Sequence, residues 1–166
     1  RVIQGSVITP DLEAQVGADP NVAKVGRIGL GTFTAATEAG ERFDTTVFGY
    51  ESADLGAPSS LTVGRYPSAP GEAVGSEADS DQGFGLGSVI TIQPGGYTFT
   101  IVGLARDVQL NAGPTLFVNY DDYVGAVRSV NPDALDPLPN VLGTAPINGV
   151  TDAELVTSIN SISTDL

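Results

Sequence analysis

Residues 88–107 read SVITIQPGGYTFTIVGLARD, and the reading of this stretch decides the fold. Val89, Thr91 and Gln93 alternate with Ser88, Ile90 and Ile92. Such a period of two is the mark of a half-buried strand, because successive side chains leave opposite faces of the backbone. Pro94-Gly95-Gly96 then supplies a turn, and Tyr97, Phe99 and Ile101 follow on one face. The stretch therefore predicts a β-hairpin.

Working outward, RFDTTVFGY (42–50) alternates in the same way, with Phe43, Thr45, Val47 and Gly49 set against Arg42, Asp44, Thr46, Phe48 and Tyr50. The β-branched stretch VAKVGRIGLGTFTAAT (22–37) precedes it, and EAGE (38–41) joins the two into a second predicted hairpin. EAVGS (72–76), PTLFVNY (114–120) and NVLGTAP (140–146) read as further strands, and RVIQGSVI (1–8) is strand-like. Residues 61–71 read as a brief extended piece and a turn, and 51–60 as a loop.

Four stretches carry helix signals. In TPDLEAQVGADPNV (9–22), Thr9 or Asp11 caps, Pro10 suits the first turn, and Leu12 and Val16 share a face. SEADSDQGFGLG (76–87) opens on a capping box from Ser76 to Asp79 and ends in glycines. YDDYVGAVRSV (120–130) turns Tyr123, Val124 and Val127 inwards. TDAELVTSINSI (151–162) has Thr151 as cap and Leu155, Ile159 and Ile162 as its stripe. The sum is an α+β chain: a mainly antiparallel or mixed sheet with short helices packed on it.

Composition narrows the chemistry. The chain of 166 residues contains no histidine, cysteine, methionine or tryptophan. Without histidine or cysteine, Ser-His-Asp and Cys-His nucleophile systems, disulfides and thiolate zinc sites are excluded within it. Any metal would be a hard cation held by oxygen. The net charge of −13, from 20 acids against 7 bases, argues against nucleic acid as a partner, since phosphate neutralisation needs a basic patch.

Several polar groupings invite a chemical reading. Glu77, Asp79 and Asp81 sit in SEADSDQGFG, but the twelfth position counted from Asp79 is Ile90, so the pattern of a calcium loop breaks; acids on a solvated helix start explain them. GFGLGS (83–88) is glycine-rich yet leads into a strand, with no lysine after it, so a turn is the better reading than a phosphate loop. Asp121 and Asp122 are adjacent at a helix start and cannot face each other across a cleft as a glycosidase requires; capping explains them. Arg65 and Glu72 flank the turn YPSAPG, and with no base or nucleophile nearby they read as a structural ion pair closing that turn. No catalytic, cofactor-binding or metal-ligating residue is assigned.

The order of these features resembles the extracellular, periplasmic-core domain of MacB/FtsX-type ABC transporter permeases. The resemblance rests on a "GR-x-P" turn (Gly64, Arg65, Pro67), then Gly71, Glu72, Ala73, Val74 and Ser76, then Leu86 to Ile92, Phe99 to Gly103 and Leu116 to Val118. ADPNVAKVGRI, VFGYES and the final VLGTAP…DAELVTSINSI fit the flanking segments, so nearly the whole chain is covered. Ser88 stands where the family often has aspartate, and the chain is shorter than the periplasmic domain of the tripartite efflux permease.

The resemblance implies a MacB-periplasmic-core-like fold. It implies one extracytoplasmic domain over 1–166, set between two membrane spans, with a small lobe around 24–60. The implied place is the outer side of a cell membrane. The implied partners are an ABC ATPase subunit reached through the membrane region, a permease dimer mate, and extracellular proteins or the transported substrate. The implied work is coupling ATP-driven motion of membrane helices to export or to mechanical signalling, with ATPase activity on a separate subunit or domain and no cofactor here. The polar, proline-containing loops 51–60 and 131–139 are the expected interaction surfaces. A second reading, from a different class, is an extracellular module that binds a small ligand, peptide or cell-wall component without a transport role; a carboxylate-based hydrolase ranks below both.

Overall fold

In a computed structural model of the chain, residues 2–3, 8–106, 108, 110, 112–133, 135 and 137–164 are described. Most of the strand-like 1–8 and the final Asp107 of the 88–107 stretch lie outside them.

The alternating stretches become the strands β2 (Val22–Ala36), β3 (Arg42–Tyr50), β5 (Glu72–Ser76), β6 (Val89–Gln93), β7 (Thr98–Ala105), β8 (Thr115–Asn119) and β9 (Val141–Pro146). Two short strands, β1 (Val2–Ile3) and β4 (Leu61–Gly64), complete the sheet. The helices are α1 (Pro10–Ala18), the single turn α2 (Ala53–Gly56), α3 (Tyr120–Val130) and α4 (Asp152–Thr164). Thr9 caps α1, its Oγ1 accepting from the Leu12 N–H at 3.2 Å. At α4, Thr151 and Glu154 form a reciprocal capping box: Thr151 N–H donates to Glu154 at 2.8 Å and Glu154 N–H to Thr151 Oγ1 at 3.3 Å.

Both predicted hairpins form, β2 with β3 and β6 with β7. The sheet is mixed, with parallel pairs β3/β8 and β5/β7 among antiparallel ones. Its strand order is β1-β9-β2-β3-β8-β5-β7-β4, and β6 bridges β2 and β7. That bridge is decisive. The path β2-β3-β8-β5-β7-β6 returns to β2, where Thr34–Ala36 pair with Gln93–Thr91. The strands thus close into a ring, which removes their edges and leaves only β1 and β4 at the ends of the path.

The period of two now has a meaning. Val47, Ala73, Ile90, Ile92, Ile101 and Leu116 point into the ring and are at most 1% exposed. A ring this small is filled by side chains. Their neighbours Phe48, Val74 and Phe117 face the other way and build a second cluster with Ile28, Tyr50 and Val141. α3 packs against the ring, with Tyr123 lying on a bare patch of backbone: a Cβ at Gly29 would overlap its aromatic ring, and one at Gly49 the Tyr123 Cβ.

β2 is long enough to serve two bodies. Its second half belongs to the ring, while Val22–Ile28 pair with β9, which in turn pairs with β1. There α1 and β9 enclose a third cluster of Ile8, Leu12, Val16 and Leu142, with Ile162 of α4 packed on it. The first and last elements of the chain therefore share one lobe, and residues 24–60 contribute strands to both the lobe and the ring.

Three local expectations are corrected. Residues 76–87 form a 3-10 turn over Glu77–Gln82, and Ser76 makes no capping bond, because it is still the buried last residue of β5. Gly83, at φ 89°, ends that turn before an α-helix can develop. Asp79 is not on a solvated face but 2% exposed. The loop 51–60 contains α2, which carries Leu55 against Gly26 and Gly143, where there is no side chain to keep it away. On α3, Tyr123 is buried in the core, Val124 and Val127 pack half-buried against it as expected, and Asp122 and Ala126 are buried beside them.

Candidate functional site

The turn between β4 and β5 is built around one carboxylate. Arg65 leaves β4 with its N–H donating to the Val102 carbonyl at 3.0 Å. The chain returns at Gly71, φ 75°, into Glu72, the first residue of β5. Glu72 accepts from Arg65 Nη1 at 2.7 Å, from Arg65 Nη2, and from the backbone N–H groups of Ser68 and Ala69 at 2.8 and 3.0 Å. Arg65 Nη1 also donates to Ser68 Oγ at 2.7 Å and to the Tyr66 carbonyl at 3.2 Å. The Arg65 guanidinium, reinforced by the Ser68 N–H, holds the Glu72 carboxyl down to about 2, and the Arg65 pKa rises in return. The Arg65 side chain is 53% exposed and Glu72 only 16%, so water screens the pair from its Arg65 side.

A second carboxylate fastens this turn to α3. Asp122, 3% exposed, accepts on Oδ1 from the Gly71 N–H at 3.0 Å and from the Tyr97 hydroxyl at 2.7 Å. Its Oδ2 is buried without a hydrogen-bond partner among the described residues. Burial, then the bond to Asp122, pushes the Tyr97 phenol far above its usual range. Three separate segments meet at Oδ1: the β4–β5 turn, the start of β7 and the first turn of α3. Capping does not account for Asp122; Asn119 occupies the N-cap position of α3, without a side-chain capping bond.

A third polar node lies where β2 passes from the terminal lobe to the ring. Arg27 Nη2 donates to Glu51 Oε1 at 2.8 Å, the Arg27 N–H donates to Glu51 Oε2 at 3.0 Å, and the Glu51 N–H donates to the Arg27 carbonyl at 3.0 Å. Glu13 of α1 lies 3.7 Å from Arg27 Nε. The guanidinium sits over the Tyr120 ring, 5.4 Å from its centroid, a cation–π arrangement. The hydrogen bond from Arg27 lowers the Glu51 pKa, and burial pushes Tyr120 up to about 12. The Tyr120 hydroxyl donates to the Pro137 carbonyl at 3.1 Å. Arg27 thereby joins α1, β2, the end of β3 and α3 in one contact set, which nothing in the linear spacing of residues 13, 27, 51 and 120 announces.

Around Tyr120 and Arg27 the surface opens into two adjoining hollows of about 310 and 400 Å³. One runs under Pro139 and Leu138 towards α1, and the other runs under Pro70 towards Tyr50 and Glu51. Loop residues from both expected interaction stretches, 51–60 and 131–139, reach this cleft, through Glu51 and through Pro137–Pro139.

The remaining candidate residues are dispersed. Glu77 is exposed and pairs with Arg106 at 3.1 Å, Asp81 is exposed, and Asp79 is buried with Gln82 Nε2 at 3.5 Å from Oδ1. Among the described residues no three carboxylates converge to hold a metal ion. Residues 83–88 form the link from the 3-10 turn into β6.

No family model matches the sequence, and no curated protein matches it. Solved structures do. The periplasmic region of MacB from Actinobacillus actinomycetemcomitans superimposes with a TM-score of 0.68 at 12% identity, covering 98% of this chain and 75% of that one. The extracellular domain of the noncanonic ABC-type transporter YknZ from Gram-positive bacteria gives 0.65 at 14%, covering 95% and 83%. A domain described as that of a permease protein from Porphyromonas gingivalis gives 0.61 at 17%, covering 98% and 71%. The chain has the α+β fold of these extracytoplasmic permease domains. None of its described helices is long and apolar enough to cross a membrane.

Proposed function

We propose that the chain is the extracytoplasmic domain of an ABC transporter permease subunit, one domain set between two membrane spans, and that its work is mechanical. The observation that carries the reading is the fold likeness to three such domains over at least 95% of the chain. The packing of β1, α1 and α4 into one lobe agrees with it, since flanking segments would then act on that lobe alone. Motion delivered there reaches the ring along β2, a continuous strand of 15 residues, and across Arg27. A ring with a close-packed interior moves as a rigid unit. ATP chemistry belongs to a separate subunit or domain in this reading, and the Arg65–Glu72 pair is a structural lock on the β4–β5 turn.

The test is topological. Reporter fusions on the native reading frame should place both ends of this segment next to membrane spans, with the segment itself outside. A full-length protein that is soluble, with neither end near a membrane, would overturn the reading.

A further inference from the structure

We propose that Asn148 is a site of self-modification, where the chain converts its own asparagine to aspartate and isoaspartate through a succinimide. Asparagine is a thermolabile residue, and the sequence holds seven, of which Asn148 alone precedes a glycine. The reaction asks for a free carboxamide, an uncommitted N–H on the next residue, and no side chain crowding the approach. Asn148 and Gly149 are both exposed, in the turn from β9 to α4 that the Val150 N–H closes on the Ile147 carbonyl at 3.2 Å. Among the described residues neither the Asn148 carboxamide nor the Gly149 N–H makes a hydrogen bond. Gly149 has a φ of 93°, and a Cβ built on it would meet nothing within 4 Å, so the space beside it is open.

The fold withholds these conditions from the other described asparagines. Asn131 precedes Pro132, which has no N–H. Asn21 donates from Nδ2 to Ser158 Oγ at 3.3 Å, and the next N–H, of Val22, is held by the Asp19 carbonyl at 3.0 Å. Asn140 accepts on Oδ1 from the Leu30 N–H at 2.7 Å and leads into β9. Asn119 leads into α3 and Asn160 lies within α4, where helical geometry fixes the backbone. At Asn148 the Gly149 nitrogen loses its proton and attacks Cγ; the new C–N bond forms, the Cγ–Nδ2 bond breaks, and Nδ2 leaves with that proton as ammonia. Water then opens the imide. Cleavage at Cγ leaves aspartate; cleavage at the main-chain carbonyl leaves isoaspartate, which lengthens the main chain of the turn by one methylene. Either product makes the net charge one unit more negative than −13. The change falls on the connection that carries the sheet into α4. The inference stands on this turn alone and is independent of the transport reading.

The experiment is incubation of the 166-residue chain in mildly alkaline buffer over several weeks, sampled by tryptic digestion and tandem mass spectrometry. A gain of one mass unit is expected at Asn148 ahead of every other asparagine, with isoaspartate detected by enzymatic methylation. Asn148→Gln keeps Gly149 and its turn, and it should lower the isoaspartate signal by about tenfold or more, because the larger ring closes more slowly. A parallel incubation in urea tests the structural claim: an unprotected site should convert in the folded chain at a rate within about fivefold of its rate unfolded, whereas Asn21 and Asn140 should be slowed by folding more than that. Absence of conversion at Asn148, faster conversion at another asparagine of the folded chain, an undiminished signal from Asn148→Gln, or protection of Asn148 by folding beyond that limit would overturn the proposal.

Discussion

Replacing Tyr97 by phenylalanine removes one oxygen and tests the node at Asp122. The hydroxyl donates to Asp122 Oδ1 at 2.7 Å, and among the described residues the only other donor to that oxygen is the Gly71 N–H at 3.0 Å. Asp122 is 3% exposed, so water does not replace a lost donor. A hydrogen bond to a charged group is worth about 1.5–3 kcal/mol, and a buried acceptor left short of donors forfeits that amount. For a chain of this size 1 kcal/mol corresponds to about 2–4 °C in Tm, so Tyr97→Phe should lower Tm by about 3–12 °C. Asp122→Ala loses both bonds and strands two donors, at a cost of about 3–6 kcal/mol. The two changes share one interaction, so the double mutant should be less destabilised than the sum, with a coupling of about 1.5–3 kcal/mol. Urea unfolding of the four proteins, followed by circular dichroism, measures this. A second readout is independent of stability: Asp122→Ala should let the Tyr97 phenol titrate at lower pH, seen by its absorbance near 295 nm. Coupling below about 0.5 kcal/mol, the level at which unrelated sites add, would refute the claim that Asp122 ties α3 to the segment that enters β7 through Tyr97.

Two further outcomes are expected. Because the folded-state pKa of Glu72 is depressed to about 2, its stabilising contribution is present above the ordinary carboxylate range and is lost as pH falls from about 4.5 towards 2; Glu72→Gln should flatten acid unfolding in that window, and an unchanged profile would remove Arg65 and the Ser68 N–H as its partners. Gly29→Ala places a methyl group into the ring of Tyr123 and should cost about 1–3 kcal/mol in urea unfolding, most of it recovered in the Tyr123→Ala background, where the ring is absent; equal cost in both backgrounds would refute the packing argument.

The strands were legible from local pattern because a half-buried strand must alternate, whatever it pairs with. Ile90, Ile92, Phe99 and Ile101 face the interior as their spacing requires, and Thr9, Leu12 and Val16 do on α1 what a cap and an apolar stripe do anywhere. The charge of −13 and the missing histidine and cysteine likewise follow from composition alone and exclude the same chemistries in any fold. Pairing partners are another matter. Alternation specifies a face but not a neighbour, so the parallel register of Thr46 with Thr115, and the return of β6 to β2 that closes the ring, come from the packing of the whole interior.

The same limit applies to polar residues. Asp79 and Asp122 sit in stretches that read as solvated helix starts, because acids there satisfy the helix dipole locally. Tertiary contact buries both, and at Asp122 it brings in Tyr97 and Gly71 from 25 and 51 residues away. Arg65 and Glu72, seven residues apart, could be seen as a pair from the sequence; Arg27, Glu51 and Tyr120 could not, since only the crossing of β2 between its two bodies brings them together. Local spacing determines which side chains turn inward; the closed ring decides which of them meet.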